Sequence, residues 1–79
     1  YAAYASVPAW RCVPVPDDVP LDVACALMLQ GSTAHYLTHS AWRVRAGDLC
    51  VVHAGAGGVG QLLIQLAKLR GATVIATVA

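Results

Sequence analysis

Between Leu49 and Ala67 an apolar run, a glycine cluster and a leucine-rich run follow one another without a break. The cluster is His53-Ala54-Gly55-Ala56-Gly57-Gly58-Val59-Gly60, in which Gly55, Gly57 and Gly60 form a G-x-G-x-x-G. That spacing lets a backbone turn sharply and lay its amides against a pyrophosphate, provided a strand precedes it and a helix follows. Both neighbours are of the required kind. Leu49-Cys50-Val51-Val52 is apolar at consecutive positions with no polar alternation, which predicts a buried parallel strand running to His53. Val59–Leu69 predicts a helix, with Leu62, Leu63, Leu66 and Ala67 on one side and Gln61, Gln65 and Lys68 on the other. Lys68 and Arg70 fall in its last turn, where cations complement the helix dipole, and Gly71 is placed to end it. Thr73–Val78 is a second β-branched run. A strand-helix-strand of this length is a right-handed crossover, so the expected class is α/β, the first β-α-β of a Rossmann-type doubly wound parallel sheet.

Each glycine has a physical reason. Gly55 is expected to permit the tight turn, Gly57 to remove a side chain that would block the phosphate, and Gly60 to let the helix pack closely. Gly58 adds room, and the amides near Val59 and Gly60 should face the ligand. With Ala56 these are the candidate cofactor-binding positions: Gly55, Ala56, Gly57, Gly58, Val59 and Gly60. An NAD-type site places an acidic side chain about 20 residues on, at the end of the second strand. The slots here are Thr77, Val78 and Ala79; none is acidic, and the chain contains no Glu. This favours NADPH, whose 2′-phosphate such a carboxylate would repel.

Composition excludes several other classes. Apolar residues make up 58% of the 79 residues and charged residues 11%, too apolar for disorder and in keeping with the inside of a larger α/β protein. The opening at Tyr1 and the stop at Ala79, inside the second apolar run, carry the same expectation of a part rather than a whole. A net charge of +1, with Arg11, Arg43, Arg45, Lys68 and Arg70 dispersed, gives no electrostatic case for nucleic acid or an anionic membrane. Val23–Ala41 and Leu49–Ala67 lack charge but carry too many polar residues and glycines for a membrane span. No signal peptide is visible. Cys12, Cys25 and Cys50 are odd in number and widely spaced, which predicts three small buried thiols rather than a disulfide framework or zinc knuckle.

Upstream, Tyr1–Val7 and Cys12-Val13-Pro14-Val15-Pro16 read as extended. Asp17-Asp18-Val19-Pro20 reads as a turn into an apolar helix with Asp22 in its first turn. Gly31 is expected to interrupt that helix, with Gly31 or Ser32 capping a second one running to about Ser40. Arg45-Ala46-Gly47-Asp48 is the turn that launches the Leu49 strand. His35 and His39 share the i, i+4 spacing of zinc ligands, but no Glu follows the first, and they read as ordinary helix histidines. His53 reads as a hydrogen-bonding strand terminus rather than an acid or base. Tyr1, Tyr4 and Tyr36 read as packed aromatics and Asp17-Asp18 as a solvated turn.

Gly47-Asp48, Gly57-Gly58-Val59-Gly60, Gln65 and Lys68 are spaced as in quinone oxidoreductases related to zeta-crystallin, the zinc-free branch of the medium-chain dehydrogenase/reductase superfamily. The segment from Leu29 to Leu37 resembles the one that family places between its two domains. Val13-Pro14-Val15-Pro16-Asp17 and the Tyr-Ala-rich opening resemble its last catalytic-domain strands. The resemblance implies that residues 1–20 are the C-terminal strands of a GroES-like catalytic domain. Residues 21–79 would then be interdomain helices and the start of a dinucleotide-binding domain. It also implies that Thr33 lies near the nicotinamide end of the cofactor; the residues alone allow equally that Thr33 sits in the first turn of a helix. Where zinc-dependent relatives carry a cysteine ligand stands Leu29, so no metal is expected in this stretch. Gly55 departs from the Ala of many relatives, a change expected to be tolerated in a turn. The implied activity is hydride transfer from NADPH to a quinone or related conjugated carbonyl, in a cytoplasmic homo-oligomer, a dimer. Enoyl reductase modules acting on thioesters, and a non-catalytic crystallin-like NADPH-binding protein, are the alternatives. No residue is assigned as a catalytic acid.

Overall fold

The computed structural model describes residues 1–78. After an extended N-terminal arm interrupted by a single 3-10 turn at Ala9–Arg11, the elements are α1 (Leu21–Tyr36), a π-helical turn (Leu37–Ala41), β1 (Leu49–Val52), α2 (Gly58–Leu69) and β2 (Thr73–Ala76). The strands expected within residues 1–20 are extended stretches with no ladder partner among the described residues.

The predicted crossover is present. β1 and β2 pair in parallel, with Leu49 opposite Thr73 and Val52 opposite Ala76. The pairing runs one residue past β2, because the Thr77 amide donates to Val52 O at 3.0 Å and Gly55 N donates to Thr77 O at 2.9 Å. The second strand is thus shorter than the Thr73–Val78 expected, and Ala79 lies outside the described residues. The turn at Arg45–Asp48 is held by Asp48, whose carboxylate accepts from Arg45 N at 2.8 Å. Its Gly47, at φ +88°, donates to Gly71 O at 3.1 Å.

α2 covers one face of the pair. Val52 and Ala67 are buried between them, while Gln61, Gln65 and Lys68 face outward as the periodicity requires. The opposite face, with Leu49, Val51 and Ile75, is exposed. Among the described residues the strand read as buried is covered on one face only, because a single helix can cover only one side of the pleat. The end of α2 follows the sequence closely. Gly71 adopts φ +85°, its amide donates to Lys68 O at 3.0 Å, and Ala72 N donates to Ala67 O at 3.1 Å. These two bonds are a Schellman cap.

α1 departs from expectation. Gly31 neither breaks nor caps it; the helix is continuous through Tyr36. Ser32 Oγ and Thr33 Oγ1 donate back to Met28 O and Leu29 O at 2.6 and 2.8 Å, so both hydroxyls are spent inside the helix rather than at a cap. The chain loosens only after Tyr36, where buried Thr38 donates its hydroxyl to Ala34 O at 2.9 Å and accepts Val44 N on its carbonyl at 3.0 Å. Ala34 and Val44 are buried beside it. Nor are the thiols buried: Cys12 and Cys25 are exposed and Cys50 is half-buried, because no described element covers the arm or the outer side of α1.

Candidate functional site

The glycine turn connects the end of β1 to the start of α2, at the carboxyl end of both strands. A ligand binds at that edge of an open α/β sheet. Its geometry reassigns the glycines one by one. The residue that bends into the left-handed region is Ala54, at φ 55°, not Gly55. Gly55 is required for space instead: a Cβ there would sit 2.8 Å from Ala76 Cβ and 3.2 Å from Ile64 Cδ1. Glycine in place of the Ala of many relatives, expected to be tolerated here, does fit, and the space around it is set by β2 and α2 rather than by the turn. Gly60 has no room either; a Cβ there would overlap Ala54 O and stand 2.9 Å from Gly55 Cα. That close helix-to-turn approach is the role read from the sequence.

Gly57 is different. It is the N-cap of α2, in an extended conformation (φ −73°, ψ 167°) open to any residue, and a Cβ would meet only Ala54 O, at 3.2 Å. Its own amide is spent on Ala54 O at 2.9 Å. The next three amides, of Gly58, Val59 and Gly60, have no acceptor within the helix and donate to no other backbone carbonyl of the turn. No side chain caps them, and no acidic residue stands in the first turn of α2. The helix therefore presents free donors and the positive end of its dipole with no competing carboxylate, an arrangement suited to an anion. Gln61 Nε2 ties the loop down by donating to Ala56 O at 2.8 Å.

Gly58 owes its place to α1. A Cβ on it would overlap the carboxamide of Gln30, so the absent side chain leaves room for Gln30 rather than for general clearance. Gln30 is the residue that sequence reasoning missed as part of the site. The available signal was its position three residues before Thr33, which places both on one face of a helix. Thr33 itself lies in the interior of α1, half-buried, with its hydroxyl held by Leu29 O; the first-turn placement is corrected.

His53 Nδ1 lies 3.1 Å from Thr77 Oγ1, joining the ends of the two strands as a strand terminus should. His35 and His39 stack with ring centroids 4.0 Å apart. His39 Nε2 accepts Arg70 Nη1 at 3.3 Å, and its Nδ1 lies 3.1 Å from His35 O and 2.9 Å from Thr38 Oγ1. Both nitrogens of His39 are thus engaged within the fold. Among the described residues no three His, Cys, Asp or Glu side chains gather as metal ligands.

No protein-family model matches the chain. It is 48% identical over 77 residues, 98% of its length, to a probable quinone oxidoreductase of Schizosaccharomyces pombe. It is 42% identical over 80 residues to a 2-haloacrylate reductase of Burkholderia. Highly reducing polyketide synthases of fungi also align, one at 36% identity over 78 residues. Among solved structures, a mycobacterial protein complexed with NADPH superposes with a TM-score of 0.88 and 51% identity over 92% of this chain. The chain spans 23% of the S. pombe relative and 22% of the mycobacterial one. Over nearly its whole length the chain is thus similar to one stretch of quinone oxidoreductases and enoyl reductases of the medium-chain dehydrogenase/reductase superfamily.

Proposed function

We propose that this chain supplies the pyrophosphate-binding turn of an NADPH-dependent oxidoreductase that reduces a quinone or related conjugated carbonyl, without catalytic zinc. The observation that carries the reading is the row of free amides at Gly58, Val59 and Gly60, reached over the open side of Gly57. The cofactor, when bound, supplies the hydride. The residues of this chain bind and orient it: the turn holds the pyrophosphate, and Thr33 stands toward the nicotinamide. The His53–Thr77 pair closes the strand ends where an NAD-type site would carry an acid. Gly55, Ala56, Gly57, Gly58, Val59 and Gly60 form the cofactor site. Leu29, exposed on α1 in the place of a zinc-ligating cysteine, supports chemistry without the metal.

The NADPH complex among the similar structures supports the cofactor, and the quinone oxidoreductase relatives support the acceptor. Within this reading, residues 1–20 end a GroES-like domain and residues 21–79 open the dinucleotide-binding one, in a cytoplasmic homodimer. No described helix is long and apolar enough to cross a membrane. The likeness to polyketide synthases supports a second reading, an enoyl reductase acting on thioesters.

Gly57→Val tests the cofactor site. The extended backbone at 57 accepts valine once Ala54 O yields by a few tenths of an ångström, so the fold is expected to survive with a modest loss while NADPH binding, followed by calorimetry, disappears. Unchanged affinity would overturn the assignment. NADPH oxidation by the full-length protein with a quinone, set against an enoyl thioester, separates the two substrate readings.

A further inference from the structure

Gln30 is a polar residue facing the glycine turn from α1, and no role in the proposed site follows from the glycine motif. Its carboxamide fills the space that a Cβ on Gly58, the first residue of α2, would take, and the carboxamide nitrogen is the atom nearest that position. Among the described residues that carboxamide makes no hydrogen bond, whereas Gln61 and Gln65 are both tied to backbone carbonyls. Gln30 is exposed, and its two amide protons are free of protein partners beside three backbone amides that are likewise free.

We propose that Gln30 is a positioning residue for the cofactor, donating from Nε2 to the same pyrophosphate that the amides of Gly58, Val59 and Gly60 receive. The proposal rests on the cofactor reading above and deepens it. A phosphate oxygen is an acceptor with several lone pairs, and a neutral amide donor beside a helix N-terminus adds to the field there without repelling it. The site thereby spans two helices: α2 offers backbone donors, and α1 brings one side chain across the gap that Gly58 leaves. In this arrangement Gly58 serves the cofactor at one remove, by giving Gln30 its seat. Gln30 is also three residues from Thr33, so one face of α1 follows the cofactor from its pyrophosphate toward its nicotinamide.

The test is a double-mutant cycle on the full-length protein, with NADPH and adenosine 2′-monophosphate as probes. The second probe shares the adenosine end of NADPH but lacks the pyrophosphate. Gln30→Ala is expected to weaken NADPH about tenfold, the scale of one hydrogen bond to a charged group, and to leave the monophosphate unchanged. Gln30→Glu keeps the volume but sets an anion beside an anion, and should weaken NADPH further than alanine does. Gly58→Ala displaces only the flexible end of Gln30. It should weaken NADPH in the parent by a similar factor and have no further effect in the Gln30→Ala background. Parental NADPH affinity in Gln30→Ala, equal loss for both probes, or additive losses in the cycle would each overturn the proposal. If the parent protein itself fails to bind NADPH, the cofactor reading falls first, and that result is separate from any of these.

Discussion

Gly60→Ala sets two opposed effects against each other within one substitution. In a helix, alanine is favoured over glycine by about 1 kcal/mol, and position 60 is the third residue of α2. On propensity alone the variant would be more stable. The added Cβ, however, falls onto Ala54 O and within 2.9 Å of Gly55 Cα and 3.1 Å of Ala54 C. All three are backbone atoms, so no rotamer change relieves the overlap; the start of α2 must lift from the turn by several tenths of an ångström. Overpacking of this kind costs about 1–3 kcal/mol, and contact with backbone places it at the upper end. The net expectation is a loss of about 2 kcal/mol after the propensity gain is subtracted. Urea unfolding should show the midpoint falling with the slope unchanged. NADPH affinity should fall as well, since the lifted amides are those of Val59 and Gly60. An alanine variant as stable as the parent or more so would refute the reasoning, because it would mean that the turn yields freely and that its geometry does not fix the helix.

Three further substitutions probe the neighbours of the turn, each measured by denaturant unfolding. Gly55→Ala should destabilise by about 1–3 kcal/mol through its 2.8 Å approach to Ala76 Cβ, and adding Ala76→Gly should restore much of the loss; no rescue would mean the cost lies in the turn itself. Gly71→Ala meets both a φ of +85° and Ala46 Cβ at 3.0 Å, so a loss above the about 1 kcal/mol expected from conformation alone is predicted; a neutral result would contradict the Schellman cap. Arg70→Ala removes the bonds from Nε to Val44 O (3.1 Å) and from Nη1 to His39 Nε2 (3.3 Å), and should cost about 1–2 kcal/mol; Arg70→Lys, which lacks the planar fork, should recover only part of it.

The β-α-β unit was legible because its signals are local. The glycine spacing, the two-sided pattern of α2 and Gly71 just past its end all act within a few residues of the structure they specify. What escaped the sequence depends on residues far apart. Gly31 reads as a break by propensity, yet a glycine costs only about 1 kcal/mol in a helix, which packing against α2 can offset. The glycine at 55 reads as the turn's conformational residue, but the left-handed residue is Ala54, because β2 and Ile64 crowd position 55. Exposure of Cys12 and Cys25 is equally invisible to a rule based on residue type, since it depends on which faces have neighbours.

The glycine motif therefore carries several constraints that coincide in one stretch of chain. At 55 the chain makes way for β2, at 58 for Gln30 of α1, and at 60 for its own turn. At 55 and 60 the packing of the fold itself gives a reason for glycine, whether or not a ligand ever arrives. Only Gly57 lies in an ordinary extended conformation with a single tight contact, Ala54 O at 3.2 Å, so the fold demands glycine there less than at 55 or 60. A residue that structure constrains less, standing in front of three unspent amides, is where selection for a ligand has room to act. That is why loss of binding at Gly57 with the fold intact speaks for the cofactor, whereas loss at Gly60 speaks for both fold and cofactor. Position 58 belongs to neither case, because its side chain would act on the ligand only through Gln30.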